Sequence, residues 1–276
     1  SNNNYIFYNN YFKYNGYQIK SGIYINYSEL NYKDTLNKIT NSNGINNNFF
    51  TNNFQTYFEI KKTFINSYIE VRLDNDFTNL ESDAYYKNKK GNIFGLSANY
   101  YFNINNLNFY FASRYDIISY TSNNISGTAL VNYKSKYYEP SLSIARSFRA
   151  PSFNEMYYLN YGNNNLIPEI SNTINFNNKI KINNIELNVN PYYSLIDNYI
   201  ISIPISPVLW SAQNLEEVNN YGIENNINYE LNNFKINFNY TYQKSIFVGK
   251  GILKNTNIPY MPNEIISLFA EYKNNI

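Results

Sequence analysis

The sequence predicts an all-β protein whose antiparallel strands form part of a transmembrane β-barrel. Three features indicate this fold class: apolar and polar residues alternate over most of the chain, tight and long connections follow each other in turn, and aromatic residues make up 19% of the composition. In residues 234–242, Phe, Ile and Tyr fall on one side of the predicted strand, and Lys, Asn and Thr on the other. Such a strand has one apolar face and one hydrated face.

Thirteen stretches show this alternation and are predicted as strands. They cover residues 5–13, 17–28, 54–62, 64–73, 91–102, 107–116, 127–134, 138–148, 172–182, 185–203, 217–230, 234–245 and 263–273. Several are longer than the usual ~5–6 residues of strands in globular proteins. Their length suits a tilted membrane crossing of about 9–11 residues that continues beyond the bilayer.

The predicted connections alternate strictly in length. Tight turns are predicted at residues 15–16, 62–63, 103–106, 135–137, 183–184 and 232–233. Long loops are predicted at residues 29–53, 74–90, 117–126, 149–171, 204–216 and 246–262. This alternation places every long loop at one end of the sheet, as in outer-membrane barrels with short periplasmic turns and long extracellular loops. A soluble Greek-key sandwich would distribute its long loops between both ends.

The composition argues against several other classes of protein. Lys and Arg number 22 against 20 Asp and Glu, and the charges form no basic stripe, so no nucleic-acid partner is expected. The chain has no Cys and no His, which removes disulfides, thiolate sites and catalytic sets that need an imidazole, so we expect no enzyme activity. The mean hydropathy of −0.51 is compatible with a barrel, because a barrel wall alternates lipid-facing and lumen-facing residues.

In residues 146–169, which we call the signature loop, the alternation of apolar and polar residues stops and two prolines interrupt the chain. Pro151 and Pro168 lack the N–H that a central strand donates to its ladder, so a long loop is predicted here. Two short boxes lie in it, Arg-Ser-Phe-Arg-Ala-Pro and Gly-Asn-Asn-Asn-Leu-Ile-Pro-Glu. Their defining residues are Arg146, Phe148, Arg149, Ala150, Pro151, Gly162, Asn163, Leu166, Pro168 and Glu169.

Two boxes at this spacing resemble the signature loop of TonB-dependent outer-membrane receptors, in which Ser-Arg-x-Phe-Arg-Ala-Pro is followed by Gly-Asn-x-x-Leu-x-Pro-Glu. Further along, residues 197–200 (Asp-Asn-Tyr-Ile), 210–214 (Trp-Ser-Ala-Gln-Asn) and 222–224 (Gly-Ile-Glu) resemble the vitamin B12 (cobalamin) branch of that family. Ala212 stands where that branch usually has proline.

The resemblance implies a receptor that imports a scarce nutrient complex without covalent chemistry. It also implies a barrel of about 22 strands in contact with outer-membrane lipid, together with a plug domain through which the TonB system acts. We therefore expect residues 1–276 to be part of a single multi-pass barrel domain whose plug and C-terminal strands lie outside this chain. A passive porin or structural barrel without a plug is the alternative, and a secreted β-rich adhesin is a third hypothesis.

Aromatic and amide side chains of two long loops are predicted to contact the ligand, because binding sites for bulky ligands combine aromatic rings with a few polar groups. These candidates are Tyr157, Tyr158, Tyr161, Trp210, Gln213 and Asn214. Loop-to-loop packing is the alternative for each of them. Arg149 and Glu169 are expected to fix the loop through a charge-assisted hydrogen bond.

Four carboxylates fall within ten residues of the predicted loop 74–90. Asp74, Asp76, Glu81 and Asp83 provide oxygen ligands of the kind that Ca²⁺ prefers, and calcium-ordered loops occur in the cobalamin branch. The sequence thus offers a candidate structural calcium loop and no other cofactor. A solvated acidic loop is the competing interpretation.

The cargo is predicted from the residues near the two boxes. Haem needs an axial imidazole, thiolate, thioether or phenolate ligand. No His lies between the boxes, which disfavours haem, but one of the three tyrosines could supply a phenolate ligand. Cobalamin and ferric siderophores bring their own metal ligands. The resemblance of residues 210–224 to the cobalamin branch implies cobalamin rather than a siderophore.

Overall fold

The structure is a computed structural model that describes residues 2–35, 44–85, 87–215, 217–249, 253–259 and 261–273. These residues form fifteen strands and one short helix. The strands are β1 (Asn2–Tyr14), β2 (Tyr17–Asp34), β3 (Ile45–Thr63), β4 (Ser67–Ser82), β5 (Lys89–Ile104), β6 (Leu107–Ile118), β7 (Asn124–Tyr133), β8 (Tyr138–Arg149), β9 (Glu169–Ile182), β10 (Ile185–Asp197), β11 (Ile200–Pro204), β12 (Trp210–Asn214), β13 (Val218–Leu231), β14 (Phe234–Phe247) and β15 (Glu264–Tyr272). The helix α1 spans Phe153–Tyr157.

Thirteen of these strands form one antiparallel sheet in the order β1-β2-β3-β4-β5-β6-β7-β8-β9-β10-β13-β14-β15. Strands β11 and β12 form a separate hairpin between β10 and β13. Each strand of the large sheet pairs with the next strand of that sheet along the chain, which is the up-and-down connectivity of a barrel wall. The predicted fold class, an antiparallel partial barrel, is confirmed.

The sheet has an apolar face and a polar face. On β4, Ile69, Val71 and Leu73 are exposed on the apolar face, while Glu70 and Arg72, which alternate with them, lie on the polar face. The same division recurs on the other strands, so a continuous band of exposed Ile, Leu, Phe and Tyr covers the apolar face. A band of this extent is what a bilayer covers on a transmembrane barrel. None of the described residues forms a helix long and apolar enough to cross a membrane.

Paired polar side chains cover the other face. Lys20 Nζ lies 2.8 Å from Glu59 Oε1, and Arg114 Nη2 lies 2.7 Å from Asp74 Oδ2. Farther along the sheet, asparagine amides bond to one another across β10, β13 and β14, as in the 2.6 Å bond from Asn226 Nδ2 to Asn239 Oδ1. The abundance of Asn in the sequence therefore has a structural use beyond turns, since its amides act as both donors and acceptors between strands.

Most tight turns fall where the sequence predicts them. Asn15, Asn183 and Asn232 each adopt a positive φ, near +50°, at the first position of a two-residue turn. Asparagine tolerates this left-handed backbone because its short side chain can bond locally. The turn predicted at residues 62–63 is wrong, because β3 continues through Thr63 and the chain turns at residues 64–66.

Several predicted loops are mostly strand. Strands β2 and β3 extend to Asp34 and from Ile45, so little of the predicted loop 29–53 remains, and residues 36–43 lie outside the described residues. Strand β4 continues to Ser82 and β5 begins at Lys89, so most of the predicted loop 74–90 is strand. These ends are rich in polar residues and lack the apolar alternation, yet the backbone ladder needs only N–H and C=O groups to continue.

The predicted strand 185–203 is interrupted. Strand β10 ends at Asp197, and Asn198 has a φ of 57°, which turns the chain out of the large sheet. The residues that follow form β11, which pairs with β12 inside the predicted loop 204–216.

Candidate functional site: the signature loop and the β11–β12 hairpin

The signature loop contains a short capped helix. Ser152 caps the N-terminus of α1: its Oγ accepts the Glu155 N–H at 3.3 Å, and Glu155 Oε2 accepts the Ser152 N–H at 2.7 Å. This reciprocal capping box satisfies two backbone donors that would otherwise lack partners. A long irregular loop is predicted over this stretch, but Ser152 and Glu155 form a Ser-x-x-Glu sequence, which is a signal for a helix start.

Arg149 holds the loop to both neighbouring strands. Its Nε and Nη2 lie 2.9 Å and 2.8 Å from the two carboxylate oxygens of Glu169, so the predicted charge-assisted hydrogen bond is present. Its Nη1 also donates to Glu155 Oε2 at 2.9 Å. Glu169 Oε1 in turn accepts the backbone N–H of Ile200 at 2.7 Å. This guanidinium therefore links β8, α1 and β9, and through Glu169 it reaches β11.

The Glu155 carboxyl is tuned by two opposing effects. Burial by itself would raise its pKa, but the hydrogen bonds from Arg149 and Ser152 outweigh burial and hold the pKa below the usual 4.5. Glu155 is therefore ionised at neutral pH and serves both as a partner of Arg149 and as the acceptor in the capping box.

A small apolar core lies between the loop and the hairpin. Met156, Leu166, Ile200 and Ala212 are buried together there. The second box supplies this core with Leu166 and with Gly162, where a Cβ would come within 2.6 Å of the Met156 backbone. The glycine of the box is therefore required by close approach of two backbone segments.

Gln213 and Asn214, which the sequence predicts as ligand contacts, both bond to the signature loop. Asn163 Nδ2 donates to Gln213 Oε1 at 3.2 Å and to the Ala212 carbonyl at 3.1 Å. Asn214 brackets Ile167, accepting its N–H and donating to its carbonyl, both at 2.9 Å. The second box and the hairpin thus form one hydrogen-bonded unit.

The tyrosines of the loop lie in an aromatic cluster. The Tyr158 hydroxyl accepts a 2.8 Å hydrogen bond from Asn47, and its ring meets that of Tyr85 edge to face at 6.5 Å. The Tyr161 hydroxyl is 2.6 Å from Ser202 Oγ. Tyr157 packs its ring beneath Lys89, whose Nζ is 4.4 Å from the ring centroid.

Tyr85 is a member of this cluster that the sequence analysis missed, because nothing in its local sequence marks it. Its hydroxyl bonds to Asn154 of α1, and burial raises the pKa of Tyr85 to about 12. Trp210 is placed differently: it begins β12, its side chain is 53% exposed, and it is free to contact a ligand. Tyr158 and Tyr161 thus pack against neighbouring segments, Trp210 has an open surface, and the ligand contacts of all three stay a prediction.

The loop docks against the polar face of the sheet. Phe153 lies against Gly91 of β5, where a Cβ would come within 2.6 Å of the ring, and its ring meets that of Tyr120 edge to face at 5.1 Å. Thr121 Oγ1 donates to the Leu166 carbonyl at 3.2 Å, and the Leu159 N–H donates to the Ala84 carbonyl at 3.0 Å. Contacts across this many strands fix the loop relative to β4–β7.

The four carboxylates of the candidate calcium loop do not converge. Asp74 and Asp76 lie on the polar face of β4, Glu81 lies on the opposite face of the same strand, and Asp83 follows the strand end. Asp74 is engaged by Arg114 and Arg72. The stretch is strand where a loop was expected, and the described residues contain no group of three or more acidic, His or Cys side chains that could hold a metal ion.

An up-and-down antiparallel sheet with one apolar and one polar face is the architecture of a transmembrane β-barrel wall. The signature loop docks on the polar face of this wall, at the end that carries the long connections. The family model of the TonB dependent receptor-like β-barrel matches residues 1–275. The chain belongs to that family.

Solved structures of receptors share the fold. The siderophore receptor PirA from Acinetobacter baumannii superposes with a TM-score of 0.77 at 11% identity, over 98% of this chain and 48% of PirA. The copper transporter OprC superposes with a TM-score of 0.74 at 10% identity, over 94% of this chain and 48% of OprC. A mutant of the ferric enterobactin receptor PfeA from Pseudomonas aeruginosa, in complex with enterobactin, superposes with a TM-score of 0.71 at 11% identity. The match covers 87% of this chain and 43% of PfeA.

The chain spans about half the length of these solved relatives. No curated protein matches it.

Proposed function

We propose that this chain is part of the barrel of an outer-membrane receptor that imports a scarce metal complex with energy supplied through the TonB system. The observation that carries the proposal is the docking of the signature loop onto the polar face by Arg149 and Phe153. This docking produces an ordered aromatic surface at the end of the sheet where the long connections lie. Aromatic rings with a few placed polar groups are typical of sites for bulky organic ligands.

The cargo we propose is a complex that carries its own metal ligands, with a ferric siderophore as the first candidate. PirA and PfeA, which share the fold, are siderophore receptors. Cobalamin is the second candidate, supported by the resemblance of residues 210–224 to the cobalamin branch. That support is weakened because Gln213 and Asn214 of the pattern bond to the signature loop and therefore have a structural role.

In the proposed cycle, the complex binds outside at the loop surface near Trp210 and no covalent bond changes. The TonB system would act on a plug domain, which we propose is a separate part of the full-length receptor. The apolar face would contact outer-membrane lipid, as a multi-pass barrel requires. A passive porin remains the alternative function, and it would transport its solute without the TonB system.

Equilibrium binding and uptake by the full-length receptor test this proposal. Detergent-solubilised receptor is titrated with a ferric siderophore panel, cyanocobalamin and haemin, and uptake is compared in cells with and without TonB. We expect Trp210→Ala to weaken binding of one siderophore by about tenfold or more, and Phe234→Ala, an exposed aromatic at a tight turn, to leave it unchanged.

Three results would contradict the proposal or its order of cargoes. Uptake that persists without TonB would support the porin. Cyanocobalamin binding without siderophore binding would make cobalamin the first candidate cargo. If the receptor binds only haemin, and loses that binding when Tyr157, Tyr158 and Tyr161 are all changed to Phe, then haem is the cargo and both candidates are wrong.

A further inference from the structure

The β6–β10 part of the apolar face carries one cation that neither the signature loop nor the polar face explains. Arg146 shares the apolar face of β8 with Leu142 and Ile144, and its side chain is exposed. Across β6–β10, all of whose residues are described, it is the only Lys or Arg on that face. Its one hydrogen bond runs from Nη1 to Asn172 Oδ1 at 3.3 Å, and it pairs with no carboxylate of the described residues. A charge on a lipid-facing surface is unfavourable unless it meets a polar or anionic group.

The surface beside Arg146 is hollow. An open groove of about 640 Å³ lies across β6–β9, and small side chains form its floor. Gly127, at the centre of the floor, is paired in register with Ser113 on one side and with Arg146 on the other. Larger apolar residues form the walls, namely Phe111, Ile125, Ile144 and Ile174.

The groove has the shape and polarity of an amphiphile. One end presents a guanidinium and an amide, and the rest is mostly apolar. The polar end lies three residues before Arg149, the last residue of β8, and thus towards the long connections, where a barrel wall meets the headgroups. A guanidinium offers forked N–H donors that match phosphate oxygens, and its stem can lie along apolar surface.

We propose that this groove binds one anionic lipid of the surrounding membrane, with the headgroup phosphate on Arg146 and an acyl chain along Ser113, Gly127 and Ala129. The lipid would supply the counter-charge that the described residues do not. This site is separate from the cargo surface, because it lies on the opposite face of the sheet.

Native mass spectrometry of the full-length receptor in detergent tests the site. The receptor is titrated with phosphatidylglycerol or phosphatidylcholine of identical acyl chains, and excess inorganic phosphate is added as a competitor. We expect phosphatidylglycerol to bind about fivefold more tightly, the ratio for one cation near an anionic headgroup. Arg146→Gln should abolish this preference, while Lys90→Gln, which removes a cation from the same face outside the groove, should preserve it.

A second variant separates the acyl chain from the headgroup. Ala129→Leu fills the floor and leaves Arg146 in place, so it should weaken both lipids equally. The proposal is overturned if the phosphatidylglycerol preference survives Arg146→Gln, if inorganic phosphate displaces the lipid and so reveals a simple anion site, or if Ala129→Leu has no effect. Dimers that form through this face and exclude lipid would also overturn it.

Discussion

Arg149 and Glu169 are paired in register as the last residue of β8 and the first of β9, and their side chains are joined by two hydrogen bonds of 2.9 Å and 2.8 Å. Each residue belongs to one of the two boxes of the signature loop. The loop therefore leaves the sheet and returns to it at adjacent positions. The two boxes therefore supply the two halves of one clamp, the Arg149–Glu169 pair.

Replacing Arg149 with Gln should loosen the loop without unfolding the sheet. The change removes charge-assisted bonds to Glu155 and Glu169, while the β8–β9 backbone ladder remains. Because the Arg149 side chain is 46% exposed, we expect a loss of about 1–2 kcal/mol in the free energy of loop opening. Limited proteolysis of the full-length receptor in detergent, followed at residues 150–168, measures this opening.

Lys181→Gln is the matched control for Arg149. Lys181 lies 3.7 Å from Glu139 near the tight-turn end, and its side chain is similarly exposed at 43%. Its loss should leave cleavage in the loop unchanged. Equal cleavage rates for Arg149→Gln and the control would show that the clamp does not hold the loop.

The sequence predicts the sheet well because alternation is a local property of each strand. The sequence also predicts the Arg149–Glu169 bond, because the two boxes that contain these residues have the spacing of the receptor family's signature loop. It does not predict that Gln213 and Asn214 face Asn163 and Ile167, because these contacts join segments about 50 residues apart. Tyr85 and Gly91 are missed for the same reason: only the folded loop brings α1 to them.

Gly95 is predicted to be essential for the ion pair between Arg114 and Asp74, which spans a whole strand of the polar face. Arg114 on β6 reaches Asp74 on β4 by crossing β5 at Gly95, where a Cβ would overlap the guanidinium. Gly95→Val should break this pair and destabilise the barrel by about 1–3 kcal/mol. Thermal unfolding of the detergent-solubilised receptor measures the loss.

A double-mutant cycle identifies the cause of that loss. If the Arg114 crossing is responsible, Gly95→Val should cost little in an Arg114→Ala background. Ala98→Val adds the same kind of bulk to the apolar face of the same strand and should be nearly neutral. Additive effects of Gly95→Val and Arg114→Ala would refute the crossing argument.

Ala212 is predicted to resist replacement by the proline that the cobalamin branch usually has at this position. The Ala212 N–H donates to the Tyr161 carbonyl at 3.2 Å, and this bond joins the hairpin to the loop. Proline has no N–H, so Ala212→Pro should cost about 0.5–1.5 kcal/mol of loop anchoring. Ala212→Gly keeps the N–H and serves as the control. Faster proteolysis of the loop in the proline variant than in the glycine variant is the expected result, and the reverse order would contradict it.

Acid should release the signature loop through Glu155. Its pKa in the folded receptor lies below the usual 4.5, so its ionised form is stabilised by folding, and this contribution is complete above pH 4.5. The contribution is lost as the pH falls below 4.5 through the folded pKa, because protonation removes the acceptor for Arg149 and Ser152. In a titration from pH 6 to pH 3, fluorescence of Trp210, the single Trp of this chain, should report the release below pH 4.5 as a difference from the Trp210→Phe variant. In Glu155→Gln the loop should already be loosened at pH 7 and the acid-dependent change should shrink. An undiminished acid transition in that variant would assign the titration to another carboxyl.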